Sequence, residues 1–203
     1  MPQDETYENE LIRPRGAGAK VVGSLYEMAE VLSSAVLCIA VLFTFVLRFA
    51  GVIGSSMAPT LKNGEWLAVT AILPQPARGD IVIISPRINA FHEPLVKRVV
   101  AVAGDEIDLK DGHVLVNGAV IEELYLPEGL ETAPASDYQS NLQYPARVPA
   151  GRVFVMGDNR NGSTDSRFSA VGFVRVDDIL GRVSFRVKPF FESDPFRFTY
   201  KVK

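Results

Sequence analysis

The chain is poor in the side chains that most often mark metalloproteins and disulfide scaffolds. Its 203 residues include one cysteine, Cys38, and two histidines, His92 and His113. A single cysteine excludes any disulfide within the chain and any cysteine-rich zinc site. Two histidines are too few for a histidine-rich metal centre, so neither a metal nor another cofactor is expected. No HExxH, GxGxxG or P-loop pattern occurs, which removes the usual support for zinc hydrolases and nucleotide binders. There is no basic excess either: Lys and Arg number 21 against 24 Asp and Glu, giving a formal net charge of -3 and a pI near 5.5. Nucleic-acid-binding domains show the opposite balance, so nucleic acid is not an expected partner.

What the chain does have is a long uncharged run, VLSSAVLCIAVLFTFVL, at residues 31–47. As a helix it covers about 25 Å, a little short of a hydrocarbon core of about 30 Å. Arg48 can snorkel and residues 49–53 continue the apolar character, so residues 31–53 are expected to form a transmembrane anchor. The run offers no polar face, unlike the surface helix of a soluble protein. A cleavable signal sequence is the rival reading. Arg13, Arg15 and Lys20 provide a basic flank, and SMA at residues 56–58 resembles a cleavage site. The segment before the run is long for such a signal, which favours an uncleaved single-pass anchor in the cell membrane. Basic residues ahead of the span place the N-terminus in the cytoplasm and residues 54–203 on the other side. Residues 1–30, mixed in charge, are expected to be a mostly disordered cytoplasmic tail.

Beyond the anchor the pattern changes to short runs rich in Val and Ile, bounded by Pro, Gly or Asn: residues 66–72, 80–85, 95–103, 152–158 and 179–187. Residues 106–121 alternate around Asp111-Gly112 and Asn117-Gly118, the signature of two tight hairpins. The expected fold class is mainly β, on one N-terminal transmembrane helix. Residues 122–147 interrupt the rhythm with prolines and polar residues and are expected to be a long surface excursion.

A serine hydroxyl needs a base before it can act as a nucleophile. GSSMAPTL at residues 54–61 offers Ser55 and Ser56. His113 follows a hairpin turn and His92 lies in a loop-like segment, so neither is a natural partner. Lys97, in LVKRVVAV, is the other candidate: in an apolar site a lysine can lose its proton near neutral pH. On a strand it shares a face with Leu95, Val99 and Ala101, while Arg98 lies opposite with Val96 and Val100. Arg98 cannot deprotonate in a protein, so of the two only Lys97 can serve as a base. A lone strand lysine is also an ordinary snorkelling edge residue, and the pattern alone leaves both readings open. GDNRNGSTDSR at residues 157–167 predicts a tightly hydrogen-bonded loop. It fails as a calcium loop because Arg160 would occupy its third position. RGD at residues 78–80 leads straight into a strand and reads as a turn.

Together these segments resemble the type I signal peptidases, membrane-anchored Ser-Lys proteases. The match is carried in order by SMAPTL at 56–61, RGDIV at 78–82, KRVV at 97–100 leading to Gly104-Asp105, and GDNRNGSTDSR at 157–167. The resemblance implies Ser56 as nucleophile and Lys97 as general base, with Ser163 orienting the lysine. It implies the Ser56 backbone N–H as oxyanion donor, and Asp158, Asp165 and Arg167 as structural support, the last two as an ion pair. It further implies a smaller inserted β region at 106–149, secretory preproteins cleaved after small residues as substrates, and membrane lipid and the export machinery as neighbours. The chain departs from the family pattern at Gly54, where some members carry a hydroxyl donor to the oxyanion, so Ser55 or the backbone would have to substitute. It also departs at Ala101 and Ala103, where Gly and Pro are common, and at residues 168–171, longer than usual by two. A dedicated processing peptidase and a non-catalytic membrane-tethered β domain are the alternative readings.

Overall fold

One helix and two antiparallel sheets make up the regular structure of the computed structural model, which describes residues 17–41, 43, 47–71, 75–88, 93–136, 140 and 142–187. The chain divides into two units, Met1–Thr44 and Phe45–Lys203. His92 lies outside the described residues.

The first unit contains helix α1, Ala17–Val41. Its Val21–Val41 portion is long and apolar enough to cross a membrane, about 32 Å at the helical rise. Apolar side chains such as Val31 and Leu37 are exposed along it. The helix starts and stops earlier than the span expected at 31–53, and the expected disordered tail is helical from Ala17. Val21, Val22, Leu25, Tyr26 and Met28 extend the apolar turns toward the N-terminus. At the other end, residues expected in the membrane form strand β1 instead.

The second unit has strands β1 (Leu47–Gly51), β2 (Trp66–Thr70), β3 (Ile81–Ile84), β4 (Leu95–Val102), β5 (Glu106–Lys110), β6 (His113–Val116), β7 (Ala119–Val120), β8 (Ala146–Arg147), β9 (Arg152–Met156), β10 (Val174–Arg175) and β11 (Ile179–Val187). Seven form one sheet in the order β1-β2-β11-β3-β4-β9-β10, and four form a second in the order β7-β6-β5-β8. The second sheet thus draws all its strands from the stretch where the sequence predicts an inserted β region. Its hairpins turn at Asp111-Gly112 and Asn117-Gly118 with positive φ at all four residues, the geometry that Asp-Gly and Asn-Gly favour.

β3, IVII, is buried at every position because both faces of the large sheet are covered there. Ile81 and Ile83 join a cluster with Val52, Met57, Leu61 and Leu67, whereas Val82 and Ile84 pack with Val99, Val153 and Val155. β4 alternates as expected, Leu95 and Val99 toward the second of these clusters and Val96 toward the first. A register shift between Val99 and Ala101 turns both Val100 and Ala101 into a third cluster, with Phe154, Ile107 and Val114, that joins the two sheets. The longer stretch after Arg167 closes as a turn, with Val171 and Gly172 donating to the Phe168 carbonyl, and buries Val171.

Candidate active site

Ser56 sits on the loop between β1 and β2. That loop is closed at its base by Val52 N–H on the Glu65 carbonyl and Gly64 N–H on the Val52 carbonyl. Met57 and Leu61 are its apolar anchors, almost fully buried on either side of the Pro-Thr pair. Gly54, with φ of 89°, turns the chain into the loop in a conformation that disfavours side chains, and its N–H donates to Asn63 Oδ1 at 2.9 Å. The Gly54 departure therefore has a backbone reason. Ser55 is exposed, and its carbonyl accepts from Ala58 N–H and from the Asn159 side-chain amide.

Lys97 comes from the middle of β4, paired opposite Val82, and is only 2% exposed. Its Nζ lies 2.8 Å from Ser56 Oγ. Burial lowers its pKa from 10.5 to about 8; Asp165 and Asp158 pull it back up, while Arg167 pushes it down. The neutral amine is therefore readily available in mildly alkaline water, where it accepts the hydrogen bond it otherwise donates.

The 157–167 loop closes over this pair. Asn159 N–H donates to the Ser56 carbonyl at 3.0 Å, tying the two loops together. Gly157 N–H donates to Asp165 Oδ2 at 3.0 Å. A Cβ at Gly157 would lie 2.2 Å from Ser163 Oγ and 2.5 Å from the Ser56 carbonyl oxygen, so only glycine lets the loops approach this closely. Ser163 Oγ is buried without a hydrogen-bond partner among the described residues, and the expected bond between it and Lys97 is not formed. The site thus brings Ser56, Lys97 and the Ser163 loop together but leaves the third hydroxyl unengaged.

Three buried arginines hold the scaffold. Arg98 makes a bidentate pair with Asp158 at 2.9 and 2.7 Å, donates to the Gly79 carbonyl, and stacks 3.8 Å over the Tyr125 ring. Arg167 pairs with Asp165 at 2.8 and 2.9 Å, the ion pair expected from the motif, and also donates to the Arg160 carbonyl. Arg160 reaches Glu123 and Thr132. The sequence reading gave Asp158 a structural role without naming Arg98 as its partner, and it left Arg98, Arg160 and Asn159 unassigned, although the last two belong to the recognised loop motif. Arg78 of the RGD turn pairs with Asp105. His113 is exposed at the start of β6.

Beside Ser56 and Lys97 opens a largely apolar cavity of about 520 Å3, lined among others by Phe49, Val52, Ile53, Leu95 and Leu180. Among the described residues no group of acidic, histidine and cysteine side chains could hold a metal. A serine hydroxyl against a shielded lysine amine, at the edge of an apolar groove, is the equipment of a serine hydrolase that uses lysine where others use histidine.

The model of the family described as signal peptidase, peptidase S26, matches residues 25–188. Curated relatives agree. Signal peptidase I U of Bacillus subtilis is 36% identical over 168 residues, 80% of this chain and 88% of that one. Signal peptidase I of Bacillus licheniformis is 35% identical over 173 residues, covering 83% and 91%. A probable signal peptidase I-2 of Synechocystis is 34% identical over 170 residues, covering 80% and 73%. A crystal structure of a signal peptidase I from Enterococcus faecalis aligns with a TM-score of 0.44 at 27% identity, over 55% of this chain and 99% of that one. The chain belongs to the signal peptidase, peptidase S26, family, and is a serine endopeptidase.

Proposed function

We propose that the chain removes N-terminal signal peptides from exported preproteins, with Ser56 as nucleophile and Lys97 as general base. The observation that carries this reading is the 2.8 Å approach of a buried, pKa-depressed lysine to a loop serine. As Ser56 Oγ attacks the scissile carbonyl, its proton passes to the free amine of Lys97. The ammonium then protonates the leaving amine as the acyl-enzyme forms. Lys97, neutral again, deprotonates the water that releases the product.

The negative charge on the tetrahedral oxygen needs donors. The Ser56 N–H is free of backbone acceptors among the described residues and is the first of these. One such donor contributes about 3 kcal/mol to the transition state. Ser55 is the second candidate, through its exposed hydroxyl. Ser163, buried and unpartnered, is proposed to engage the lysine as its protonation changes. Asp158, Asp165 and Arg167 act as structural support.

The apolar cavity beside the pair is proposed to seat the small side chains that precede the scissile bond. The helix of Val21–Val41 would anchor the enzyme in the membrane, its basic flank in the cytoplasm and the β unit on the far side, with the export machinery and membrane lipid as neighbours.

The test is cleavage of a preprotein whose signal ends in Ala-x-Ala by the detergent-solubilised full chain and its Ser56→Ala variant. The wild type is expected to cut after the second alanine and the variant not at all. Cleavage at that bond by Ser56→Ala would overturn the reading.

A further inference from the structure

The excursion between β7 and β8 is, by its sequence, an ordinary long loop, yet its first half is fastened at both ends. Ile121 N–H donates to the Val114 carbonyl, and Thr132 N–H donates to the Gly112 carbonyl at 2.7 Å. Between these points it presents Glu123, Tyr125 and Thr132 to the arginines beneath the active-site loop. Arg160 donates through Nη1 to Glu123 Oε2 at 2.8 Å and to Thr132 Oγ1 at 2.6 Å, and through Nη2 to Glu123 Oε1. Tyr125 lies against Arg98 and donates its hydroxyl to Glu123. Just past Thr132, the Ala133 carbonyl accepts from Arg167.

We infer that residues 121–133 form a strap that positions the active-site loop, with Glu123 as its principal positioning residue. The connection is short. The guanidinium that Glu123 grips also donates from Nε to the Gly157 carbonyl at 3.2 Å. Gly157 is where the backbone passes between Ser163 Oγ and the Ser56 carbonyl. Arg160 is 2% exposed, so without Glu123 its charge would sit in the protein interior with one side-chain acceptor, Thr132, and one carbonyl acceptor, Gly157, among the described residues. A buried charge left without its partner is strongly destabilising, which favours a turn of the guanidinium toward another carboxylate. Asp158, next to Gly157 and already committed to Arg98, is within the same electrostatic neighbourhood as Arg160. Such a turn would shift Gly157 and with it the two hydroxyls. The residues lining the groove beside Ser56 come from 48–54, 56, 57, 69, 83, 93–97 and 180, none from the strap. Glu123 is therefore placed to govern the chemical step and not the binding of substrate.

The inference rests on the roles proposed for Ser56 and Lys97, so Ser56→Ala is run in parallel: residual cleavage there indicts those roles and not the strap. With the wild type active and Ser56→Ala inactive, Glu123→Gln is expected to lower kcat by about tenfold to a hundredfold with KM nearly unchanged, as small displacements of reacting groups do. Thermal melting above the assay temperature establishes that the variant is folded. Glu123→Asp, which restores the charge, is expected to recover part of the lost kcat. Should Glu123→Gln fail to fold, Thr132→Val, nearly isosteric and lacking only the acceptor for Arg160, is expected to show the same fall in kcat on a smaller scale. A folded Glu123→Gln, or in its place a folded Thr132→Val, with wild-type kcat would overturn the inference. So would a loss confined to KM.

Discussion

Arg98 and Asp158 face each other through two hydrogen bonds in a place that water does not reach, one strand position from Lys97 and one loop position from Gly157. A fully buried ion pair adds little net stability, but breaking it leaves a charge with nothing to answer it. Asp158→Asn is expected to destabilise the β unit by about 3 to 5 kcal/mol. The double variant Arg98→Met/Asp158→Leu is expected to lose less than the sum of the single variants, because no orphaned charge remains. Denaturant unfolding of Asp158→Asn, of the singles Arg98→Met and Asp158→Leu, and of the double variant checks this, and additive losses would contradict it.

Lys97 sets a pH dependence of the same sense as that of a salt-bridged carboxylate, moved to the alkaline range. Its folded pKa of about 8 lies below the value of 10.5 for an exposed lysine. Between these limits the unfolded chain binds a proton that the folded chain does not, so stability rises with pH across that window, and below about pH 8 the burial penalty is fully present. Lys97→Met is expected to abolish cleavage yet to raise stability at pH 7 by up to about 3 kcal/mol, with a flatter stability curve above pH 8. In the wild type kcat/KM is expected to rise about tenfold per pH unit and level off near pH 8. A limb centred near 6.5 would point to histidine instead.

Ser163 separates packing from chemistry. Its hydroxyl is buried with no partner, so its removal relieves a desolvated group and leaves only a small void. Ser163→Ala is expected to melt at or above the wild-type temperature while kcat falls. Unchanged kcat would remove Ser163 from the handling of the lysine proton.

The mainly β class and the paired turns at Asp111-Gly112 and Asn117-Gly118 were legible from local backbone preference. The proximity of Ser56, Lys97 and the 157–167 loop was expected from the resemblance of contiguous motifs, since the residue types alone left the role of Lys97 open. β1 did not show, because LRFAG continues an apolar run and only its register against Trp66–Thr70 makes it a strand. The bonds from Arg160 to Glu123 and from Arg98 to Tyr125 were equally invisible, since they join segments about thirty residues apart by packing that no local pattern announces. The missing Ser163 hydrogen bond is of the same kind. Motif spacing brings that hydroxyl into the site, but the packing of the surrounding loop decides whether it bonds.

The last strand among the described residues bridges the two sides of the site. β11 lies between β2, which follows the Ser56 loop, and β3, the neighbour of the Lys97 strand, and it hydrogen-bonds to both. No ladder joins β2 to β3 directly. Until Ile179–Val187 has emerged and inserted, the two halves of the sheet lack the strand whose hydrogen bonds join them, and only side-chain packing and loop contacts hold serine near lysine. A growing chain that has not yet released Ile179–Val187 therefore lacks the strand that bridges the serine side of the sheet to the lysine side.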